Sequence, residues 1–433
     1  MNPVPFFRQR LALVVCLSML SLNLFAAETN RPAFQGAQGF GAFAAGGRGG
    51  QIIRVNTLKA TGPGSITEAI KTKGARIVVF EVGGVIDLEG EKLLIREPFL
   101  TIAGQTAPAP GITLIKGGVN IATHDVVMQH LAVRAGEAGH AKKSGWEVDS
   151  LSTVSGANNV IVDHCSLSWS TDENLSASGP RFNGETVEEW REHASHNITF
   201  SHCIIAEGLA NSTHTKGEHS KGTLIHDNVT FVSLIGNLYA SNMERNPLAK
   251  GGVWAVMVNN WIANPGKQSM HSGLVKDEWA GNPWATSRLA VVGNVMEHGP
   301  DTPTDLALLR NNKGTPLELY LEDNLAFNRA HKPVAMTTGE FTNLTTRPLW
   351  PEGLTPLPAA KVKESVARNV GARPWDRDPI DERIVKAALA GKGKIIDSEK
   401  EVGGYPKRTA STAPFNAADW NLDDLQTLPS KRL

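Results

Sequence analysis

Cysteine is almost missing, with three residues among 433 and no Cys-x-x-Cys pair. That argues against a disulfide scaffold, a zinc-thiolate site and dithiol redox chemistry. A charge of one sign is missing too, because 43 basic side chains face 43 acidic ones. A dedicated nucleic-acid binder needs a basic excess, so none is expected, and any polyanion must meet a local cluster of cations. No long apolar run follows residues 11–25, so the body of the chain offers no membrane span. Amphipathic helices are nearly absent from residues 76–327, which excludes a helical bundle. A chain with 20% charged and 41% hydrophobic residues still has ample material for a core.

The apolar run at 11–25 follows Arg8 and Arg10 and exits through Ala26-Ala27-Glu28. A charged start, a short apolar stretch and small residues at the exit have the layout of a secretory signal over residues 1–27. Cys16 lies inside the run and not at its end, which argues against lipoprotein processing. Removing the signal leaves a slightly acidic protein, extracellular or periplasmic, with Cys165 and Cys203 as its remaining thiols and no membrane attachment.

What the chain does contain is a repeat. Asp125-Val-Val-Met-Gln-His-Leu-Ala-Val, Asn159-Val-Ile-Val-Asp-His-Cys-Ser-Leu, Asn197-Ile-Thr-Phe-Ser-His-Cys-Ile-Ile and Asn228-Val-Thr-Phe-Val-Ser-Leu-Ile-Gly share a turn residue, alternating apolar positions and a polar pair. Their starts are 34, 38 and 31 residues apart, and weaker copies surround Asn259-Asn260, Asn294 and Asp323-Asn324. A unit of this length holds two or three short strands, so an all-β solenoid, a parallel β-helix, is expected. Even blades for a propeller and Asn-Gly hairpins for a sandwich are lacking. Register then stacks Cys165 on Cys203 and His164 on His202, as core and structural residues. The Gly-rich residues 34–50 read as an entry loop, residues 65–73 as a short capping helix, and residues 381–390 as a helix ended by Gly391. The expected organisation is a solenoid over residues 28–350 and an irregular, partly helical tail over 351–433 that packs along it.

Function in a rigid solenoid belongs to its long loops. Asp149, Asp172 and Glu173 flank the second unit and can converge on one side of a coil; oxygen ligands without a His or Cys set favour calcium over zinc. Lys216, Lys221, Arg245 and Lys250 follow on the next coils. Carboxylates beside cations suit an anionic polymer bridged by a metal ion. His214 and His219 are five residues apart in a loop, an unspecific spacing that suits a structural role.

These residues carry a family resemblance. Asn159-Val-Ile-Val-Asp-His-Cys and Glu244-Arg-Asn-Pro-Leu-Ala-Lys resemble two stretches of the pectate lyases, and Gly39-Phe-Gly-Ala-Phe, Ile102-Ala-Gly-Gln-Thr-Ala-Pro and Gly371-Ala-Arg-Pro-Trp-Asp-Arg-Asp look like a bacterial branch of that group. The resemblance implies a right-handed parallel β-helix, calcium as cofactor, and a secreted monomer that cleaves polygalacturonate by β-elimination. It implies Arg245 as the base, Lys221 or Lys216 and Lys250 as substrate-binding cations, and Asp149 and Asp172 as calcium ligands. Ser176 stands where the family has a further carboxylate, with Glu173 as the substitute, and Leu248 stands where it has an Arg. The alternatives are a non-catalytic pectin-binding β-helix or adhesin, a β-helical glycoside hydrolase using paired carboxylates, and a calcium-independent pectin lyase.

Overall fold

The computed structural model describes residues 31–428, and the signal expected at 1–27 lies outside them. The chain winds through three sheets of 11, 10 and 9 strands, parallel throughout except where Ser411–Thr412 of the tail joins the 10-stranded sheet antiparallel to Val82–Asp87. One circuit shows the rule: Asn158–Asp163 lies in the first sheet, Ser166–Ser168 in the second and Glu173–Ala177 in the third. The next circuit repeats it with His196–Ser201, Ile204–Ala206 and Lys221–Ile225. This is the parallel β-helix expected from the repeat.

Alternation along each strand sends every second residue inward, and register stacks those residues into columns. Val78, Ile102, Met128, Val162, Phe200, Leu234, Met257 and Val291 are successive partners in the first sheet, and all are buried. Each such side chain contributes roughly 1.5–3 kcal/mol of burial, so the core is a rod running the length of the molecule.

The turn residues of the repeat have a backbone cause. Asp125, Asn159 and Asn197 adopt φ of 55°, 50° and 54°, the left-handed region that Asp and Asn tolerate best among residues with a side chain. The fourth unit differs from the sequence reading. Ile198 pairs with Val232 and Phe200 with Leu234, so the residue equivalent to Asn197 is Phe231, with φ of 55°, and Asn228 belongs to the turn before it. The spacing is 34 residues there, as seen between Cys203 and Asn237. A bulky residue in a conformation that favours Asn hid the true register.

That register places Asn237 beyond Cys165 and Cys203, and it begins a ladder. Asn237 Oδ1 accepts from Cys203 N at 2.8 Å, Asn260 Oδ1 from Asn237 N at 3.0 Å, Asn294 Oδ1 from Asn260 N at 3.0 Å and Asn324 Oδ1 from Asn294 N at 2.9 Å. Each amide also donates to a carbonyl of the preceding coil, as Asn260 does to Leu234 at 2.9 Å. Cys165 and Cys203 are free and buried. Burial and then the neighbouring Cys165 push the Cys203 thiol up, so it stays protonated and inert.

Helix α1 (Ile66–Lys71) caps the first coils, with Ser65 Oγ accepting from Glu68 N. Helix α2 (Val187–His193), not expected from the sequence, sits in the loop between Ala177 and His196 behind a capping box of Thr186 and Glu189. Two helices follow the last coil: α3 (Ala359–Asn369), also unexpected, and α4 (Pro379–Leu389), which starts before residue 381 because Asp378 caps it and Pro379 opens it. Val362, Val366, Ile384 and Val385 pack on Leu238, Trp261 and Val295 of the second sheet. Residues 34–50 are more than an entry loop, since they strap the first sheet lengthwise. Gly47 N, Ala45 N and Gly41 N donate to Thr101, Asp125 and Thr199, and a Cβ on Gly41 or Gly47 would lie 2.1 or 1.8 Å from a strand carbonyl.

The ladder yields a test. In Asn260→Ala the amide of Asn237 and the carbonyl of Leu234 lose their partners in the interior, and unpaired buried groups cost about 1–3 kcal/mol each. We expect a loss of about 3 kcal/mol in urea unfolding and a lower Tm, against little change for Asn421→Ala on the exposed tail.

Candidate active site

The third sheet carries the chemistry. Leu151 pairs with Leu175, Glu173 with Lys221, and Lys221 bridges to Glu244. Residues from four successive coils therefore stand in one row. Asp149, Asp172 and Glu173 each offer an oxygen within 4.8 Å of the others. They come from two adjacent coils, not the single coil expected, because Asp149 precedes the strand at Leu151 and the other two open the next one.

Each member is held. Asp149 Oδ1 accepts from Glu173 N at 3.0 Å. Asp172 Oδ1 lies 2.8 Å from His219 Nε2, and His214 stacks on His219 at 3.7 Å while accepting from Lys216 N at 3.1 Å. The two histidines set aside as structural are therefore the brace of Asp172. Glu173 pairs with Arg245 and Lys221 with Glu244. Arg245 has φ of 62° and is pinned there by its neighbour. Buried Asn246 accepts from Asn242 at 3.1 Å and donates to Gln268 O at 3.1 Å, and Asn242 accepts from Asn174 at 3.0 Å.

The remaining expected cations lie apart. Lys216 is exposed on the loop that carries the histidines. Lys250 is buried and faces Asp227 at 3.2 Å and Glu278, which also bind Arg181 at 2.8 Å each. Leu248 is nearly buried, between Leu224 and His271 on the adjacent strands. Sequence reasoning missed Glu244, Asp227, Glu278 and Arg181. Glu244 had a signal in adjoining Arg245, whereas Glu278 reaches the cluster from a loop 28 residues beyond Lys250.

Electrostatics separates the acids. Burial and then the charge of Asp172 push Asp149 up to about 7. Burial also pushes Asp172 up, but His219, then His214 and Arg245, outweigh it and hold that carboxyl below its usual range. Burial pushes Arg245 down, opposed by Asp172, Asp149 and Glu278. Three converging carboxylate oxygens, one of them reluctant to ionise beside another, are the donor set of a hard cation.

An acid whose pKa is raised by folding costs stability only where its unfolded form has ionised. The cost at Asp149 is absent below the ordinary carboxylate pKa of about 4, grows as pH rises, and is complete above about 7. In the presence of chelator, Asp149→Asn is expected to raise Tm at pH 8 and to leave it unchanged at pH 3.5. An equal change in Tm at both values would refute the assignment.

No family model matches the chain. The Aspergillus flavus protein named "Probable pectate lyase C" is 32% identical over 424 residues, covering 95% of this chain and 90% of that one. Its Emericella nidulans counterpart is 32% identical over 418 residues, covering 94% and 88%. These relatives are fungal, which overturns the bacterial-branch expectation. Among solved structures, a Bacillus subtilis pectate lyase mutant aligns with a TM-score of 0.55 at 12% identity, covering 79% of this chain and 98% of that one. The major cedar pollen allergen aligns at 0.54 and 16%, covering 77% and 92%. A Bacillus sp. N165 pectate lyase in complex with trigalacturonate aligns at 0.51 and 13%, covering 78% and 98%. These structures share the right-handed parallel β-helix. Identity of 32% over nine-tenths of both chains goes further: the protein belongs to the pectate lyase family.

Proposed function

We propose that the protein is an exported lyase that cleaves α-1,4-linked polygalacturonate by β-elimination and leaves a 4,5-unsaturated sugar at the new end. The observation that carries the reading is Arg245, held against the acid cluster of Asp149, Asp172 and Glu173 and one coil from Lys221. Membership of the family supports the substrate class. Residues 1–27 are the export signal, residues 28–350 the catalytic solenoid and 351–433 its packed tail.

The difficulty of the reaction is the proton at C5, which lies beside a carboxylate whose charge opposes further loss of a proton. Asp149, Asp172 and Glu173 would hold calcium, with waters and substrate oxygens completing the about 6–8 ligands it takes. Bound there, the ion supplies neutralisation of that carboxylate, the electrostatic contribution that is often the largest in catalysis. The protein's own groups do the rest. His219 keeps Asp172 ionised and aimed. Lys221 exchanges Glu244 for the substrate carboxylate and offsets the negative charge that grows at C5 and C6. Lys250 binds a carboxylate further along the polymer, and exposed Lys216 adds positive charge at the rim.

Arg245, having first lost a proton to solvent, takes the C5 proton onto the imine nitrogen of its neutral guanidine and becomes guanidinium. The electron pair of the broken C5–H bond forms the C4–C5 double bond, and the C4–O bond breaks with its pair on the departing oxygen, which takes a proton from water. A guanidine is an unusual base. The site favours its neutral form in one respect, since burial lowers the Arg245 pKa.

Ultraviolet absorbance of polygalacturonate is the direct test, because the double bond conjugates with the carboxylate. We expect absorbance to rise with calcium, to stop with chelator, and to fall by about 100- to 10,000-fold in Arg245→Ala, the loss typical of a general base. New reducing ends without absorbance would replace the reading with hydrolysis. Polymer binding with neither signal would make the protein a pectin-binding module.

A further inference from the structure

Arg181, Asp227, Lys250 and Glu278 form a closed network beside the site, and three of the four have no part in the chemistry above. Asp227 is its floor. Fully buried, it takes Arg181 Nε at 2.8 Å and Lys250 Nζ at 3.2 Å on one oxygen, and Gly251 N at 2.9 Å and Trp279 Nε1 at 3.0 Å on the other. His226 accepts from Arg181 Nη2 at 3.1 Å and contributes no charge, because burial pushes its pKa down to about 4. Two cations thus stand on one buried anion. The remaining unit of positive charge faces outward, and Glu278 covers it.

Glu278 reaches this position from outside. It lies on the one-turn segment Lys276–Trp279, its side chain is 39% exposed against 9% for Lys250, and its Oε2 contacts both Lys250 and Arg181. Both cations also hold Asp227. Arg181 is carried by the segment whose Phe182 packs edge-on against Trp190 of α2 at 4.9 Å and against Trp279 at 5.3 Å, while Lys250 follows the strand Leu248–Ala249. Lys250 lies just beyond Arg245, across the short strand Leu248–Ala249 of the third sheet, which puts the network next to the reacting position.

We propose that Arg181 and Lys250 form a carboxylate-binding subsite adjoining Arg245, and that Glu278 is its resident occupant, which a uronate carboxylate of the substrate displaces. The assignment rests on the pectate lyase reading for the identity of the anion. It adds Arg181 as a binding residue and Glu278 as a selectivity element. Only a group carrying a full negative charge competes with Glu278, so a methyl-esterified uronate is turned away at this position.

The test compares Glu278→Gln, which keeps shape and removes charge, with Arg181→Gln, each first checked for an unchanged circular dichroism spectrum and melting curve. Trigalacturonate affinity is measured by titration calorimetry, and KM and kcat on polygalacturonate and on highly methyl-esterified pectin. Glu278→Gln is expected to bind trigalacturonate at least threefold more tightly and to lower KM on polygalacturonate by more than it changes kcat, with no gain on the esterified polymer. Arg181→Gln is expected to shift affinity and KM by a similar factor in the opposite direction. Unchanged or weaker binding in folded Glu278→Gln overturns the proposal, because Glu278 is then a brace. Wild-type protein that yields no ultraviolet-absorbing product, while Glu278→Gln still tightens binding, overturns the lyase reading and leaves the subsite standing.

Discussion

The spacing between parallel strands, about 4.8 Å, is the constraint on which the rest of this structure depends. Every coil must present its residues in register with the one before, or the inward columns turn outward. Val162 lies over Met128 and under Phe200 for this reason, and so does Glu173 beside Lys221. The same repeat that stacks the core therefore delivers a row of charged groups, one per coil, to the third sheet. On the proposed reading an anionic polymer lying along that row would meet its charges at the coil spacing.

Such a fold must also satisfy buried polar groups wherever the chain bends between sheets. Two asparagine networks do this, each with a distinct consequence. The ladder from Asn237 to Asn324 closes the bends between the first and second sheets. The chain of Asn174, Asn242 and Asn246 occupies the approach to the third sheet and fixes the backbone next to Arg245. A side chain amide supplies both donor and acceptor, so a column of them pairs with itself and with strand ends without importing charge. Rigidity at the site is in this sense an extension of the polar core.

Legibility followed periodicity. The solenoid could be read because alternation and left-handed Asn turns repeat in sequence, and Asp149, Asp172, Arg245 and Lys221 could be named because motifs mark them. Phe231 broke the reading of register, since nothing in its chemistry announces a left-handed residue. Helices α2 and α3 lie outside the repeat and carry no periodic partner. The partners of His219 and Glu278 were hidden for another reason: they are 47 and 28 positions away, across loops of unrelated length. Two loops that meet over one carboxylate leave no spacing in a single sequence.

The site's cations, finally, are all paired within the protein. Arg245 rests on Glu173, Lys221 on Glu244, and Lys250 with Arg181 on Asp227 and Glu278. Removing one partner of a buried ion pair strands the other at considerable cost, so none of these cations stands bare before substrate arrives. On the proposed reading a substrate carboxylate would take the place of Glu244 at Lys221 and of Glu278 at Lys250 and Arg181, and Glu173, holding calcium, would release Arg245. Selection would then act on the incoming group's charge more than on its shape. A neutral sugar or ester offers no charge to replace Glu244 or Glu278, so the proposed exchange would favour the ionised uronate.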